Sequence, residues 1–394
     1  MVRARLSRGE APGTRTKYSR IGKGGSLDGT TPAGVREHPM AVEFVDADAH
    51  VVEGQALMGE CLRRWPDVFT LSPRGELLSE GRRYPEPEGP GAGCPPEHGL
   101  STVDGINPWT PAGTLADADR DGIDQMVFFP SFGLRAPSIE TRRVASGFCE
   151  LYNEWIADWC RQGRGRFHGI AVLPVEWVEE AIATLRRAKA LGLVGAMIPP
   201  ALRTRNLDHP DLDPLYAAAV DLDMPLGVHG APGIHLPKIG VDRFTNYIQV
   251  HCISFPFDQM TAMTALVSGG VFDRHPRLRV AFLEAGVGWV PYFVERMHEH
   301  WEKRGGWIRD GWRQDPRRYI EAGNVWVSCE PEEGILPAVA AALGPDFIMY
   351  ASDYPHWDSD WPESTRPLRE RPDLPDDVRA KIAGANARRF YRLS

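Results

Sequence analysis

Between residues 114 and 352 the chain keeps a regular beat, in which a short apolar run suited to a strand follows a longer stretch with helical spacing. The helical pattern Thr114–Gly122 leads into Gln125–Phe129, and Ile139–Arg161, with Trp155 and Trp159 one turn apart, leads into Phe167–Leu173. Trp177–Leu191 precedes Val194–Ile198, and Asp213–Leu222 precedes Pro225–His229. Phe257–Val267 with Phe272 precedes Leu278–Leu283, and Trp289–Trp301 with Pro316–Ile320 precedes Val325–Ser328. Leu336–Leu343 then precedes Phe347–Ser352. With Phe44–His50 as an opening strand, eight strands alternate with helices. That pattern predicts a parallel α/β architecture, and the count favours a (β/α)8 TIM barrel over an open sheet. Residues 51–113 form a long, turn-rich, lid-like insertion after strand 1, and residues 363–394 supply extra C-terminal helices.

Strand 1 carries an unusual load. In an extended strand alternate side chains share a face, so Val45-Asp46-Ala47-Asp48-Ala49-His50 sets Asp46, Asp48 and His50 on one side. Unpaired carboxylates and imidazoles are costly to desolvate, and a bound cation makes such a group tolerable. The competing reading is an exposed edge strand with a solvated polar face.

Barrel chemistry sits at the C-terminal ends of the strands. There the sequence offers Asp48 and His50 on strand 1, His229 on strand 5, Glu284 on strand 6, Cys329 and Glu330 on strand 7, and Asp353 with His356 on strand 8. His251 falls in the long connection after strand 5, shortly before a helix start. These are ligand types for a divalent metal, and five strand ends at one rim agree. Within the insertion, Tyr84, His98, Asn107 and Trp109 are candidates for folding over a site and touching a substrate; ordinary surface anchors are the alternative.

Composition excludes several classes. No run of about 18 apolar residues occurs, so no membrane span is expected. A net charge of −8 argues against nucleic-acid binding. Six scattered cysteines without a C-x-x-C pair fit a reduced, cytoplasmic compartment better than a disulfide framework or thiolate zinc site. Residues 1–39 are different, with eight Lys/Arg against three Asp/Glu and no apolar core. They read as a flexible basic leader ahead of a domain spanning 40–394, or an over-long start, or an arm ordered by a partner subunit. Trp301, Trp307 and Trp312 suggest either a homodimer surface or helix packing around the barrel.

Asp48-Ala49-His50, His229 and Ser352-Asp353-Tyr354-Pro355-His356 together resemble the amidohydrolase superfamily, and within it the amidohydrolase 2, or aminocarboxymuconate-semialdehyde decarboxylase-like, group. The likeness runs over roughly residues 42–394. It implies a single metal ion held by Asp48, His50, His229 and Asp353. Strand 4, Val194–Ile198, has no lysine of the kind that holds a second metal in many amidohydrolases. Decarboxylases of this group usually bring a histidine in on strand 6; the matching position here is Ala285, with Glu284 beside it. Either Glu284 takes over a polar or ligand role, or His251 swings in.

The resemblance implies a metal-dependent non-oxidative decarboxylase of a small aromatic or unsaturated carboxylic acid, with Asp353, His251 and Glu284 as catalytic groups and His356, Trp109, Asn107 and Tyr84 around the substrate. The alternative is a metal-dependent hydrolase of a C–N, ester or lactone bond; a non-enzymatic barrel is a third reading. Zinc is the first choice of metal, manganese or magnesium the second.

Overall fold

The computed structural model describes residues 42–86, 89–92, 99–308 and 312–394. The leader, residues 1–39, and His98 lie outside the described residues. Eight parallel strands are β1 Val45–Val51, β2 Gln125–Pro130, β3 Phe167–Val172, β4 Gly195–Ile198, β5 Leu226–Val228, β6 Val280–Phe282, β7 Val325–Cys329 and β8 Ile348–Tyr350. They pair in sequence order from β1 to β8, each parallel to the next, which is the order of a (β/α)8 barrel. The seam between β8 and β1 closes beyond the last residue of β8. There Asp353 N donates to Asp48 O at 3.3 Å and His50 N to Tyr354 O at 2.6 Å.

These strands form because their residues are apolar on both faces, as a sheet wrapped by helices requires. Every residue of β4, β5, β6 and β8 is buried. Gly227 on β5 shows how tightly the interior is filled: a Cβ there would lie 2.8 Å from the ring of Phe129, which packs beneath His229 with centroids 5.4 Å apart. The C-terminal helices complete the wall beside β1. Gly384 lets them approach so closely that a Cβ would lie 2.6 Å from Glu43 O, and Tyr391 OH donates to Ala47 O at 2.9 Å.

Three local expectations change. β1 does not alternate simply: it carries a bulge between Asp46 and Ala49, so its pairing with β2 slips by one residue. Asp46 therefore has a different job from Asp48. Its carboxylate accepts from Asp48 N at 3.2 Å, from Ser352 N at 3.1 Å and from the Ser352 hydroxyl, bracing the β1–β8 seam. The helix expected at Phe257 begins ten residues earlier, as Tyr247–Met263, with Asn246 capping Ile248 N at 3.0 Å. His251 thus sits in a helix, not in the preceding connection. From the same helix Gln259 donates to Val228 O and Leu283 O at 3.1 and 2.8 Å, tying the ends of β5 and β6 together.

The insertion after β1 is ordered where described. It holds a helix, Gln55–Arg64, and a small antiparallel sheet of Phe69–Leu71, Leu77–Ser79 and Arg82–Arg83. Its far end crosses the C-terminal rim of the barrel: Leu100 bridges to His356, and Ser101 N donates to Pro355 O at 2.8 Å. Of the three tryptophans, Trp301 is half-buried, Trp312 packs against the core, and only Trp307 is open, at 80% exposure. No described helix is long and apolar enough to cross a membrane.

Candidate metal centre

The C-terminal rim of the barrel gathers the donors that the strand ends carry. His50, at the end of β1, has Nδ1 2.8 Å from Pro130 O. A carbonyl can only accept, so Nδ1 holds the proton and Nε2 presents its lone pair. His229, just after β5, is set the same way by Gly230 O, also at 2.8 Å. The two Nε2 atoms face each other at 3.3 Å. Asp48 Oδ1 lies 4.0 and 3.8 Å from them, Asp353 Oδ1 lies 3.4 Å from His50 Nε2, and Glu284 Oε2 lies 3.1 Å from His229 Nε2.

Every one of these atoms is an acceptor. Asp48 Oδ1 and Glu284 Oε2 are buried without a hydrogen-bond partner. Converging lone pairs repel one another, and buried carboxylates without donors are costly, unless a cation lies between them. Asp48, His50 and His229 bring ligand atoms within 4.8 Å of one another, and so do His50, Asp353 and His356, with His50 common to both groups. The residues present therefore fit a divalent metal ion.

The electrostatics carry the same message. Burial, then the charges of Asp358 and Glu330, pushes the Glu284 carboxyl well above its ordinary range. Burial, then Glu284, Asp358 and Asp48, does the same to Asp353. Asp48 is raised by burial against the pull of His229, with Glu284 and Asp46 adding to the rise. The imidazoles move the other way: burial, then His356 and His229, holds His50 well below its usual value. The site holds an excess of negative groups that a positive ion would stabilise in their charged forms.

Backbone geometry aims two of these carboxylates. Glu284 and Asp353 follow β6 and β8 in the left-handed region, at φ +55° and +54°, where side chains other than glycine are uncommon. Glu284 N is held by Ser328 Oγ at 3.0 Å. Glu284, not Ala285, is the strand 6 residue that faces His229; Ala285 is half-buried against the core.

Beyond Asp353 a hydrogen-bonded chain continues. His356 Nδ1 lies 2.8 Å from Asp353 Oδ1, and His356 Nε2 lies 3.0 Å from Ser131 Oγ. The His356 ring stacks on His50 with centroids 4.1 Å apart, and burial lowers its pKa to about 4. His251 stands apart from this group, on the pocket wall, with Nε2 3.6 Å from Asp358 Oδ2.

Above the cluster opens a pocket of about 270 Å³, walled by Tyr84, Phe132, Tyr247, Phe255 and Trp357. Its polar lining includes Glu53, Ser131, His251, Glu284, His356 and Asp358, and among the described residues no lysine or arginine lines it. This lies near the small end of ligand pockets, roughly 300 Å³, and suits a compact molecule. A neighbouring recess is strongly acidic, lined by Asp48, Glu284, Glu330, Glu332, Asp353, Asp358 and Asp360.

Of the substrate-facing residues expected from sequence, Tyr84 and His356 line the pocket, whereas Asn107 and Trp109 do not. Asn107 N donates to Asp117 Oδ2 at 2.6 Å, and Trp109 is exposed beside the helix Pro111–Asp121. Sequence reasoning missed Ser131, Glu53 and Asp358. Ser131 directly follows β2, so the strand-end rule extended to strand 2 would have found it.

A family model for amidohydrolases matches residues 45–393. The chain is 28% identical over 254 residues to 2-amino-3-carboxymuconate-6-semialdehyde decarboxylase of Dictyostelium discoideum, covering 63% of this chain and 67% of that one. It is 26% identical to a gamma-resorcylate decarboxylase of Rhizobium, covering 70% and 85%. Its fold matches manganese-bound 5-carboxyvanillate decarboxylase of Novosphingobium aromaticivorans with a TM-score of 0.67 at 19% identity, over 90% and 97% of the two chains.

Proposed function

Because the chain belongs to the amidohydrolase family, we propose that it is a metal-dependent, non-oxidative decarboxylase of a small aromatic or unsaturated carboxylic acid. One observation carries this reading: an acceptor-only cluster, built on Asp48, His50 and His229, lies at the base of an aromatic-walled pocket that, among the described residues, no lysine or arginine lines. In such a pocket a substrate carboxylate has one favourable place to go, against the metal. That the curated relatives named above are decarboxylases supports the same reaction.

Asp48, His50, His229 and Asp353 are the proposed ligands, with Glu284 close enough to join them. When bound, the metal supplies positive charge that holds the substrate's carboxylate beside the cluster and stabilises negative charge on a neighbouring oxygen. Pro130 O and Gly230 O keep both histidine lone pairs turned inward. Asp353 is the proton-carrying group, delivering a proton to the carbon that loses carbon dioxide, and His356 Nδ1 holds the same Oδ1 that lies beside His50 Nε2. Tyr247, Phe255 and Trp357 press on the ring of the substrate and keep water from it. His251 contributes from the wall, paired with Asp358.

Two imidazoles with carboxylates suit zinc; manganese, present in the 5-carboxyvanillate decarboxylase structure, and magnesium are the alternatives. The five described cysteines are free thiols, which supports a reducing, cytoplasmic setting. Exposed Trp307 is the remaining support for a homodimer contact.

Hydrolysis of a C–N, ester or lactone bond is favoured by one feature, the Glu284 carboxylate 3.1 Å from His229 Nε2, which is placed to take a proton from water. Two measurements separate the reactions: metal content of the purified protein by elemental analysis, and release of carbon dioxide from a panel of hydroxybenzoates set against hydrolysis of aryl amides and lactones. Decarboxylation predicts carbon dioxide and no turnover of the amides; the opposite pattern overturns it.

A further inference from the structure

The helix Tyr247–Met263 carries Tyr247, His251, Phe255 and Gln259 at intervals of four residues, so the four side chains share one face. The first three line the pocket. The fourth reaches past it to the strand ends that carry two of the donors: Gln259 Nε2 donates to Val228 O at 3.1 Å and to Leu283 O at 2.8 Å. Val228 and Leu283 immediately precede His229 and Glu284. Both partners are carbonyls, which only accept, so the orientation of the amide is fixed. Gln259 is fully buried, and its Oε1 has no hydrogen-bond partner among the described residues. The side chain leaves its own acceptor unmet, a costly arrangement, in order to serve two backbone carbonyls.

The two donors are otherwise anchored in opposite directions. His229 N donates to Ile198 O on β4 at 3.0 Å, and Glu284 N donates to Ser328 Oγ on β7 at 3.0 Å. Between β5 and β6 the register ends at Val228 opposite Phe282, followed by a longer bond of 3.3 Å from Leu283 N to Val228 O. Gln259 spans this junction. Its hold on Leu283 matters because the next residue, Glu284, stands on left-handed backbone at φ +55°, where the direction of the side chain depends on the surrounding structure to keep it.

Building on the reading of the cluster as a metal centre, we propose that Gln259 is a positioning residue: by fixing the spacing of Val228 and Leu283 it keeps Glu284 Oε2 3.1 Å from His229 Nε2 and makes Glu284 a ligand of the same ion as His229. A helix whose outer part forms the pocket wall thereby also sets the donor spacing at the pocket's base.

The test reads metal binding, not turnover. Zinc and cobalt affinities are measured by competition with a chromophoric chelator, and the visible spectrum of the cobalt-loaded protein reports its ligand set. Gln259→Met keeps the length of the side chain and cannot donate. It should bind both ions at least about tenfold more weakly than wild type, and its cobalt spectrum should match that of Glu284→Ala. In the Glu284→Ala background the same substitution should change affinity by less than about twofold, because the ligand it positions is already gone. An equal loss of affinity in both backgrounds, or a wild-type cobalt spectrum in Gln259→Met, overturns the proposal and leaves Gln259 a structural tie. Should Gln259→Met fail to fold, crystals of the zinc-loaded wild-type protein decide: Glu284 must bond the ion at about 2.0–2.2 Å, and a carboxylate turned away from it overturns the proposal. If wild-type protein binds neither ion, the metal-centre reading itself falls, and the role of Gln259 with it.

Discussion

His50 and His229 point their Nε2 atoms at each other across 3.3 Å, and each is held there by a backbone carbonyl on its Nδ1. Neither nitrogen can donate to the other, so the contact is unfavourable in the protein alone and favourable around a cation. Stripping the metal with a chelator should abolish turnover and lower the melting temperature, and adding back one equivalent should restore both. His229→Ala should lose at least about tenfold in metal affinity.

Asp46 and Asp48 separate two roles that lie two residues apart. Asp46→Ala leaves Ser352 N, the Ser352 hydroxyl and Asp48 N without their acceptor, so it should cost about 2–4 kcal/mol of stability. The folded fraction of that variant should still bind metal. Asp48→Ala should do the reverse, folding normally and failing to hold the ion; elemental analysis and thermal melts on both variants check this.

Glu284→Gln keeps size and removes charge. With its Oε2 3.1 Å from His229 Nε2, the change should lower turnover at least about tenfold, roughly 1.4 kcal/mol of barrier, while melting moves little. Normal turnover with lowered stability would make Glu284 a structural residue.

His168 lies on β3 at the opposite end of the barrel, with Nε2 2.7 Å from Gln125 Oε1. Burial, and secondarily the positive charge of Arg388, lowers its pKa from 6.5 to about 4. A folded pKa below the unfolded one gives stability that is full above pH 6.5 and is lost as pH falls towards 4. His168→Gln should flatten that part of the acid limb by at most about 3 kcal/mol, with little effect at neutral pH. Denaturant melts at a series of pH values measure it.

The barrel itself was written in local pattern. Strand runs such as Phe167–Val172 and Val325–Cys329 are apolar because both faces of a barrel strand are buried, and that periodicity survives in any chain segment read alone. For the same reason the strand-end donors Asp48, His50, His229 and Asp353 could be picked out before any coordinates, since topology sends every strand's C-terminus to one rim. The lid and its neighbours were less legible. Asn107 and Trp109 read as well as Tyr84 did, but only Tyr84 comes to the pocket, because a long insertion can fold back in many ways at similar local cost.

What sequence alone determined, then, was the alternation of elements and the identity of the donors at their ends. Tertiary structure decided which way those donors face. A bulge in β1 sends Asp46 to the seam and Asp48 to the candidate donor cluster, and left-handed backbone turns Glu284 and Asp353 inward. Ser131 meets its hydrogen-bond partner His356 across 225 residues of the chain. Burial and strand identity follow from the local spacing of apolar residues, whereas a side chain's direction at a strand end depends on one or two backbone angles and on partners that only the closed barrel brings within hydrogen-bond reach.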